Sequence, residues 1–500
     1  MPSGDSAEGV ADNSTNPQTT VRGLGLFVLR YGVVLLLTIV GYLLLVRRLP
    51  PSEWGIFSAA QFVLTVAQEV YPRGATVYLI QKRGRPSEKE LGTAGALQLA
   101  IWLGLVGFAA AACIKLGQDG DSAELPFLMV CASLTCLLYA LRSVPVALME
   151  RDLNYGHVAI VEVADALCFY STAIGGVALG FGLRALAIAV ILRGLVSTAG
   201  AFALRRRLPA LSFELNCVIR IYKPSLVFIG TNLASFAFLA VPSLVLGFSA
   251  GPDKLAFVQM AFSLFGSALV VTPLVARVTF GAYARMIHET KQSIAVAVDH
   301  LVRALSFVTA PILVTFVGSS PWWVPTVMGS GWRPTALVLL LMVPGYMLSG
   351  IYWAPVTSAL YARHWGKYVF VCQLSILTIY AIAAWFMVPI WKEDGLAVAW
   401  TVGAVPPVPF LLFAFRRGYD APWLNWRALL PPLATCVAAG IWVLINRELY
   451  LPALVVWGGF CAWWWMIHST ERRELLSQVL ARLTTLRSNR RSLSSVVSVA

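Results

Sequence analysis

The sequence predicts an all-α polytopic membrane protein of about 14 transmembrane helices, with two six-helix lobes around a central cavity and a further helix pair at the C-terminal end. Three observations carry that prediction: a charge content too low for a water-soluble chain, 14 apolar stretches of spanning length, and an internal duplication that maps each span onto the one six places later. Of 500 residues, 58% are hydrophobic and only 12% charged, and the mean hydropathy is +0.74. Soluble chains carry roughly 25% charged residues, so disordered, collagen-like and ordinary cytosolic classes are excluded. The eight cysteines follow no CxxC, zinc or haem spacing and read as small, reduced packing residues.

Taken in order, residues 1–23 form a polar, disordered cytoplasmic tail, and the apolar run after it is too long for a removable signal peptide. The spans are 24–46, 55–80, 91–114, 125–148, 158–180, 185–204, 224–249, 256–276, 298–318, 336–360, 368–390, 395–415, 429–446 and 452–468. Such continuous apolar stretches must be helices, because a barrel would alternate apolar and polar residues along short segments. The first six make an N-terminal lobe over 24–204, residues 205–223 a cytoplasmic linker, and 224–415 a C-terminal lobe. Residues 429–468 hold the additional pair. The tail 469–500 places Leu475, Leu476, Val479, Leu480, Leu483 and Leu486 at helical spacing among arginines, the pattern of a basic amphipathic helix on an anionic leaflet.

Lysine and arginine set the orientation. With the N-terminus inside, 25 of the 38 fall in cytoplasmic segments, eight in outer loops and five within spans. Both termini are therefore expected in the cytoplasm, and the net charge of +14 reads as membrane topology rather than nucleic-acid binding. No loop is long enough for a soluble catalytic domain, no GxxxxGK[ST] phosphate loop occurs, and no histidine falls in a metal-binding arrangement. No cofactor is expected.

The duplication rests on three pairs of segments. Pro51-Ser52-Glu53-Trp54-Gly55-Ile56-Phe57 matches the pattern of Pro252-Asp253-Lys254-Leu255-Ala256-Phe257-Val258. Ala147-Leu148-x-x-Arg151 matches Ala359-Leu360-x-x-Arg363, and Gly182-Leu183-x-x-Leu186-Ala187 resembles Gly395-Leu396-x-x-Ala399. The offsets are 201, 212 and 213 residues. Repeats of this kind recur in secondary transporters, where one lobe rocks against the other around a site between them.

The stretch from Val46 to Ser58, reading VRRLPPSEWGIFS, resembles the first-loop signature of Wzx-like lipid-linked oligosaccharide flippases, the polysaccharide-export branch of the multidrug/oligosaccharidyl-lipid/polysaccharide superfamily. Leu148-Met149-Glu150-Arg151-Asp152-Leu153-Asn154-Tyr155 is similar to that family's fourth-to-fifth loop, and Gly329-Ser330-Gly331-Trp332-Arg333-Pro334 to the short segment before its tenth span. The resemblance covers about residues 20–420. It implies a non-enzymatic transporter of the bacterial cytoplasmic membrane that flips a polyprenyl-diphosphate-linked oligosaccharide for surface or exopolysaccharide assembly. Its implied partners are that lipid-linked oligosaccharide, membrane lipids, and the polysaccharide polymerase and export machinery. Two alternatives stand beside it: a multidrug/cation exporter of the same superfamily, and a membrane polysaccharide polymerase or ligase.

Ionisable residues inside spans mark the candidate site, since each is costly in lipid and turns to the bundle interior or to water. Five are arginines (Arg30, Arg73, Arg142, Arg193 and Arg303) and four are carboxylates (Glu69, Glu162, Asp165 and Asp299). In the second span Gln61, Thr65, Gln68, Glu69, Pro72 and Arg73 trace one helical stripe, as a cavity lining or a polar seam would. Arg30, Arg73 and Arg142 stand at similar depth from the cytoplasmic ends of their spans, with Arg193 near mid-span. These four are the expected diphosphate contacts, because guanidinium stays charged and offers forked donors. Glu162 and Asp165, one turn apart, could carry protons or a cation, or be held by Arg142, Arg151 or a neighbouring helix end. Asp299 reads as an interfacial cap. Arg303 sits near a span edge and reads as a snorkelling side chain.

Overall fold

A computed structural model describes residues 17–61, 86–118, 124–152, 154–205, 212–222, 240–247, 249–269, 291–363 and 365–419, with single positions at 79, 237, 238, 272, 279, 283, 458, 459 and 473. Among them the secondary structure is helical throughout, with no strand. Six stretches are long and apolar enough to cross a membrane: Pro126–Arg151, Gly156–Ala178, Gly182–Leu204, Ser293–Gly318, Ser330–Ala362 and Gly366–Tyr419. The protein is thus a multi-pass helical membrane protein. The expected spans 429–446 and 452–468 and the tail 469–500 lie outside the described residues, save the three single positions above.

In chain order the helices are α1 (Pro17–Val46), α2 (51–61), α3 (Glu88–Gln118), α4 (Glu124–Arg151), α5 (Tyr155–Ala178), α6 (Gly182–Leu204), α7 (Leu215–Tyr222), α8 (Pro252–Ala268), α9 (Lys291–Gly318), α10 (Pro334–Leu348), α11 (Ala354–Ala362), α12 (Gly366–Ala404) and α13 (Pro407–Tyr419). They fall into two compact units. Unit 1 holds residues 1–48 and 63–225; unit 2 holds residues 49–62 and 226–500. The start of the expected second span, α2, therefore packs with unit 2.

Unit 1 shows how sequence sets helix ends and contacts. Ser87 and Glu90 form a reciprocal capping box at the start of α3: the Ser87 amide donates to the Glu90 carboxylate at 2.9 Å, and the Glu90 amide to Ser87 Oγ at 3.3 Å. The α5–α6 turn passes through Gly180 (φ 86°) and Gly182 (φ 52°), conformations that any Cβ would strain. Helices α4 and α6 are keyed together by hydroxyls and a glycine. Thr135 Oγ1 donates to the Val190 carbonyl at 3.0 Å, Thr198 Oγ1 to the Leu138 carbonyl at 2.9 Å, and Gly194 lies against the Thr135 methyl. Small residues and side-chain hydroxyls of this kind replace the hydrophobic effect as helix–helix adhesive in lipid. Leu103, Ile160 and Leu195 remain exposed, an apolar face suited to lipid.

In unit 2 two of the three resemblance motifs meet. Trp332 of the Gly-Trp segment packs edge-on to Trp54 of α2 and to Phe257 of α8, at centroid distances of 6.4 and 6.1 Å. Gly55 makes this possible, since a Cβ there would stand 1.9 Å from the Pro252 carbonyl oxygen. The long α12 folds back on itself at Lys392 (φ 50°), in the turn that the duplication aligns with Gly180–Gly182. The adjacent Glu393 holds that turn to α8 through Lys254, at 2.6 Å.

Candidate functional site

In unit 1, α4, α5 and α6 bring four of their polar side chains together. Asp165 of α5 is 6% exposed. Its Oδ2 accepts from Arg193 of α6 twice, from Nη2 at 2.6 Å and Nε at 3.1 Å. Its Oδ1 accepts from the Tyr139 hydroxyl of α4 at 2.9 Å and faces Arg142 Nη1 of α4 at 3.5 Å. The α4–α6 hydroxyl bonds fix this geometry: the register that joins Thr135 to Val190 also sets Arg193 opposite the Tyr139–Arg142 turn.

Aromatic faces complete the cluster. The Arg142 guanidinium lies 3.9 Å from the Tyr139 ring centroid, and Arg193 lies 5.0 Å from Phe169 and 5.9 Å from Tyr139. Cation–π contact strengthens as water is excluded. Beside them Gly41 of α1 admits the Tyr170 ring, whose centroid is 6.1 Å from that of Tyr42. Two guanidiniums on one carboxylate leave the Arg142–Asp165–Arg193 triad with an excess of one positive charge, in side chains only 20, 9 and 18% exposed. A permanent cation held in a poorly screened bundle attracts an anion.

Of the expected site residues, Arg142, Arg193 and Asp165 lie together, with both arginines against the one carboxylate. Glu162 is half-buried one turn before Asp165. Gln61 is half-buried in α2, within unit 2. Thr65, Gln68, Glu69 and Arg73 lie outside the described residues; α1 carries Arg30, whose side chain also lies outside what is described. Arg303 is paired with Asp299 at 2.7 Å, one turn apart on α9, so it does not simply reach for the membrane edge. Tyr139 was not anticipated. Its signal was its place three residues before Arg142, on the same helix face.

The two arginines that the sequence pairs, Arg151 and Arg363, make different contacts. Arg151 donates to the Leu79 carbonyl in unit 1. In unit 2, Arg363 instead stacks on Trp365 and Tyr419, 4.8 and 5.5 Å from the ring centroids. Unit 2 also holds a partly open cavity of about 190 Å³, lined by Phe238, Leu348, Ser349, Tyr352, Trp353, Gln373, Ile376, Trp400, Ala404, Val408 and Leu411. A π-helical turn over Ser349–Trp353 forms part of its wall.

Comparison with known proteins gives three likenesses. The polysaccharide biosynthesis protein family matches residues 44–337, more than half of the chain. The chain is 25% identical over 284 residues to the succinoglycan biosynthesis transport protein ExoT of Rhizobium meliloti (strain 1021), a match spanning 56% of each protein, so it aligns with little more than half the length of that relative. In fold it is similar to the lipid II flippase MurJ in an inward closed conformation, with TM-score 0.65 at 14% identity, covering 91% of this chain and all of that one. It is also similar to an inward-facing multidrug resistance MATE family transporter of the MOP superfamily, with TM-score 0.60 at 13% identity, covering 78% of this chain and 94% of that one. These relatives are transporters and flippases rather than enzymes.

Proposed function

Because the chain belongs to the polysaccharide biosynthesis protein family, we propose that it moves a polyprenyl-diphosphate-linked oligosaccharide from the inner to the outer leaflet of the cytoplasmic membrane, for surface or exopolysaccharide assembly. Both termini stay in the cytoplasm, and the two lobes alternate access to the site. The observation that carries this reading is the excess positive charge of the Arg142–Asp165–Arg193 triad, buried among apolar helices. A diphosphate headgroup is the part of such a substrate that needs a permanent cation. The prenyl tail can remain in lipid, and no bond is made or broken.

Arg30 and Arg73 are proposed as further phosphate donors and Gln61, Thr65, Gln68 and Glu69 as polar lining. Glu162 and Asp165 are the proposed coupling carboxylates. The polymerase and export machinery are the proposed partners that receive the flipped product. A multidrug/cation exporter, the second reading, calls for a carboxylate in excess of its cations; the triad has the opposite balance. A polymerase or ligase calls for catalytic groups in a large loop.

The test uses proteoliposomes carrying a fluorescent polyprenyl-diphosphate disaccharide, with a membrane-impermeant quencher reporting leaflet exchange. The purified protein should speed exchange of the diphosphate lipid and leave an uncharged glycolipid of the same tail unmoved. Equal exchange of both lipids, or transport of a cationic dye alone, would overturn the proposal.

A further inference from the structure

We propose that the two arginines of the triad have different tasks: Arg142 is the residue that contacts the substrate anion, and Arg193 is a positioning residue that keeps Asp165 from neutralising it. This inference rests on the diphosphate reading above and goes beyond it, since that reading treats the arginines alike.

The hydrogen bonds separate them. Arg193 spends two donors on a single oxygen of Asp165 and lies against two aromatic faces. The other Asp165 oxygen takes the Tyr139 hydroxyl. Arg142 Nη1 is buried 3.5 Å from that same oxygen, beyond a good hydrogen bond, and makes none among the described residues. A buried charged donor left without an acceptor is costly, and a phosphate oxygen arriving there would supply one. The Arg142 side chain keeps 20% of its surface exposed, while Nη1 itself is buried.

Asp165 is the only other anion of the triad, one short movement from Arg142. Were Arg193 absent, its carboxylate would turn to Arg142 and cancel the charge that an incoming anion needs. Arg193 therefore acts on the ligand through Asp165. Tyr139 assists twice, by donating to Oδ1 and by placing its ring centroid 3.9 Å from the Arg142 guanidinium carbon.

The experiment measures binding of inorganic pyrophosphate by calorimetry to the full-length protein in nanodiscs of zwitterionic lipid. Arg142→Gln should weaken binding tenfold or more. Arg193→Gln should also weaken it about tenfold, and adding Asp165→Asn to that variant should restore affinity to within about threefold of the wild type. Recovery to near wild-type affinity on removing a second charged residue is what a positioning role predicts; a general structural role does not produce it. Arg193→Lys, which keeps the pair with Asp165, should stay within about threefold and guards against a double variant that fails to fold. A double variant that folds and binds no better than Arg193→Gln alone, or an Arg142→Gln protein that binds as the wild type does, overturns the division of tasks. A wild-type protein that ignores pyrophosphate overturns the diphosphate reading itself, and this inference with it.

Discussion

Units 1 and 2 hold opposite chemistry. Where unit 1 holds an ionic triad, the cavity of unit 2 is walled by the aromatic rings of Phe238, Tyr352, Trp353 and Trp400, by aliphatic groups and by the uncharged Ser349 and Gln373. Around that cavity Phe238, Tyr346, Tyr380 and Trp400 pack ring on ring, with Phe238 and Trp400 centroids 4.4 Å apart. One scaffold can therefore carry two specificities, because the backbone needs only close helix contacts. Thr198 bonds to the Leu138 carbonyl in unit 1 and Thr401 to the Leu341 carbonyl in unit 2, while the side chains between are free to diverge. The difference teaches that charge in this fold is a local addition to a frame of close helix contacts.

The sharpest way to break the contrast is Asp165→Ala, which leaves two buried guanidiniums without their carboxylate. Removing one partner of a buried pair costs about 3–5 kcal/mol, so the folded fraction recovered in detergent should fall steeply; an unchanged unfolding temperature would mean that the triad is solvated. Tyr139→Phe should cost less, about 1.5–3 kcal/mol for a hydrogen bond to a charged group, read in the same thermal assay. In unit 2, Gly403→Ala tests packing instead of charge: its Cβ would stand 2.7 Å from that of Tyr380, and overpacking of this kind costs about 1–3 kcal/mol. A smaller loss than at Tyr139 would sharpen the distinction between the units. The mildest effect is expected at Arg303→Ala, whose pair with Asp299 is half-exposed and should contribute below about 1 kcal/mol.

Much of the fold was legible because lipid imposes simple demands. Apolar stretches of spanning length must be helices, and the Pro51 and Pro252 segments each open one. At the α5–α6 turn Gly180 and Gly182 take positive φ; in the segment of unit 2 that the sequence pairs with it, Lys392 takes positive φ and Gly395 lies against the Met387 carbonyl. Of the site, Arg142, Arg193 and Asp165 stood out because charge inside a span is rare. Their pairing did not, because it depends on the register between α4 and α6, which Thr135 and Thr198 set through backbone carbonyls that no sequence pattern names. Tyr139 was hidden for a related reason: a tyrosine in a span is unremarkable until a carboxylate is found opposite its hydroxyl. The meeting of Trp54 with Trp332, nearly 280 residues apart, likewise follows from tertiary packing alone.

The most direct measurement of the central claim is a cryo-electron microscopy structure of the protein with a polyprenyl-diphosphate sugar bound. The account predicts phosphate density within about 3 Å of the Arg142 guanidinium, with Arg193 still on Asp165. Density for the headgroup in the aromatic cavity of unit 2, with the unit 1 triad untouched, would contradict it.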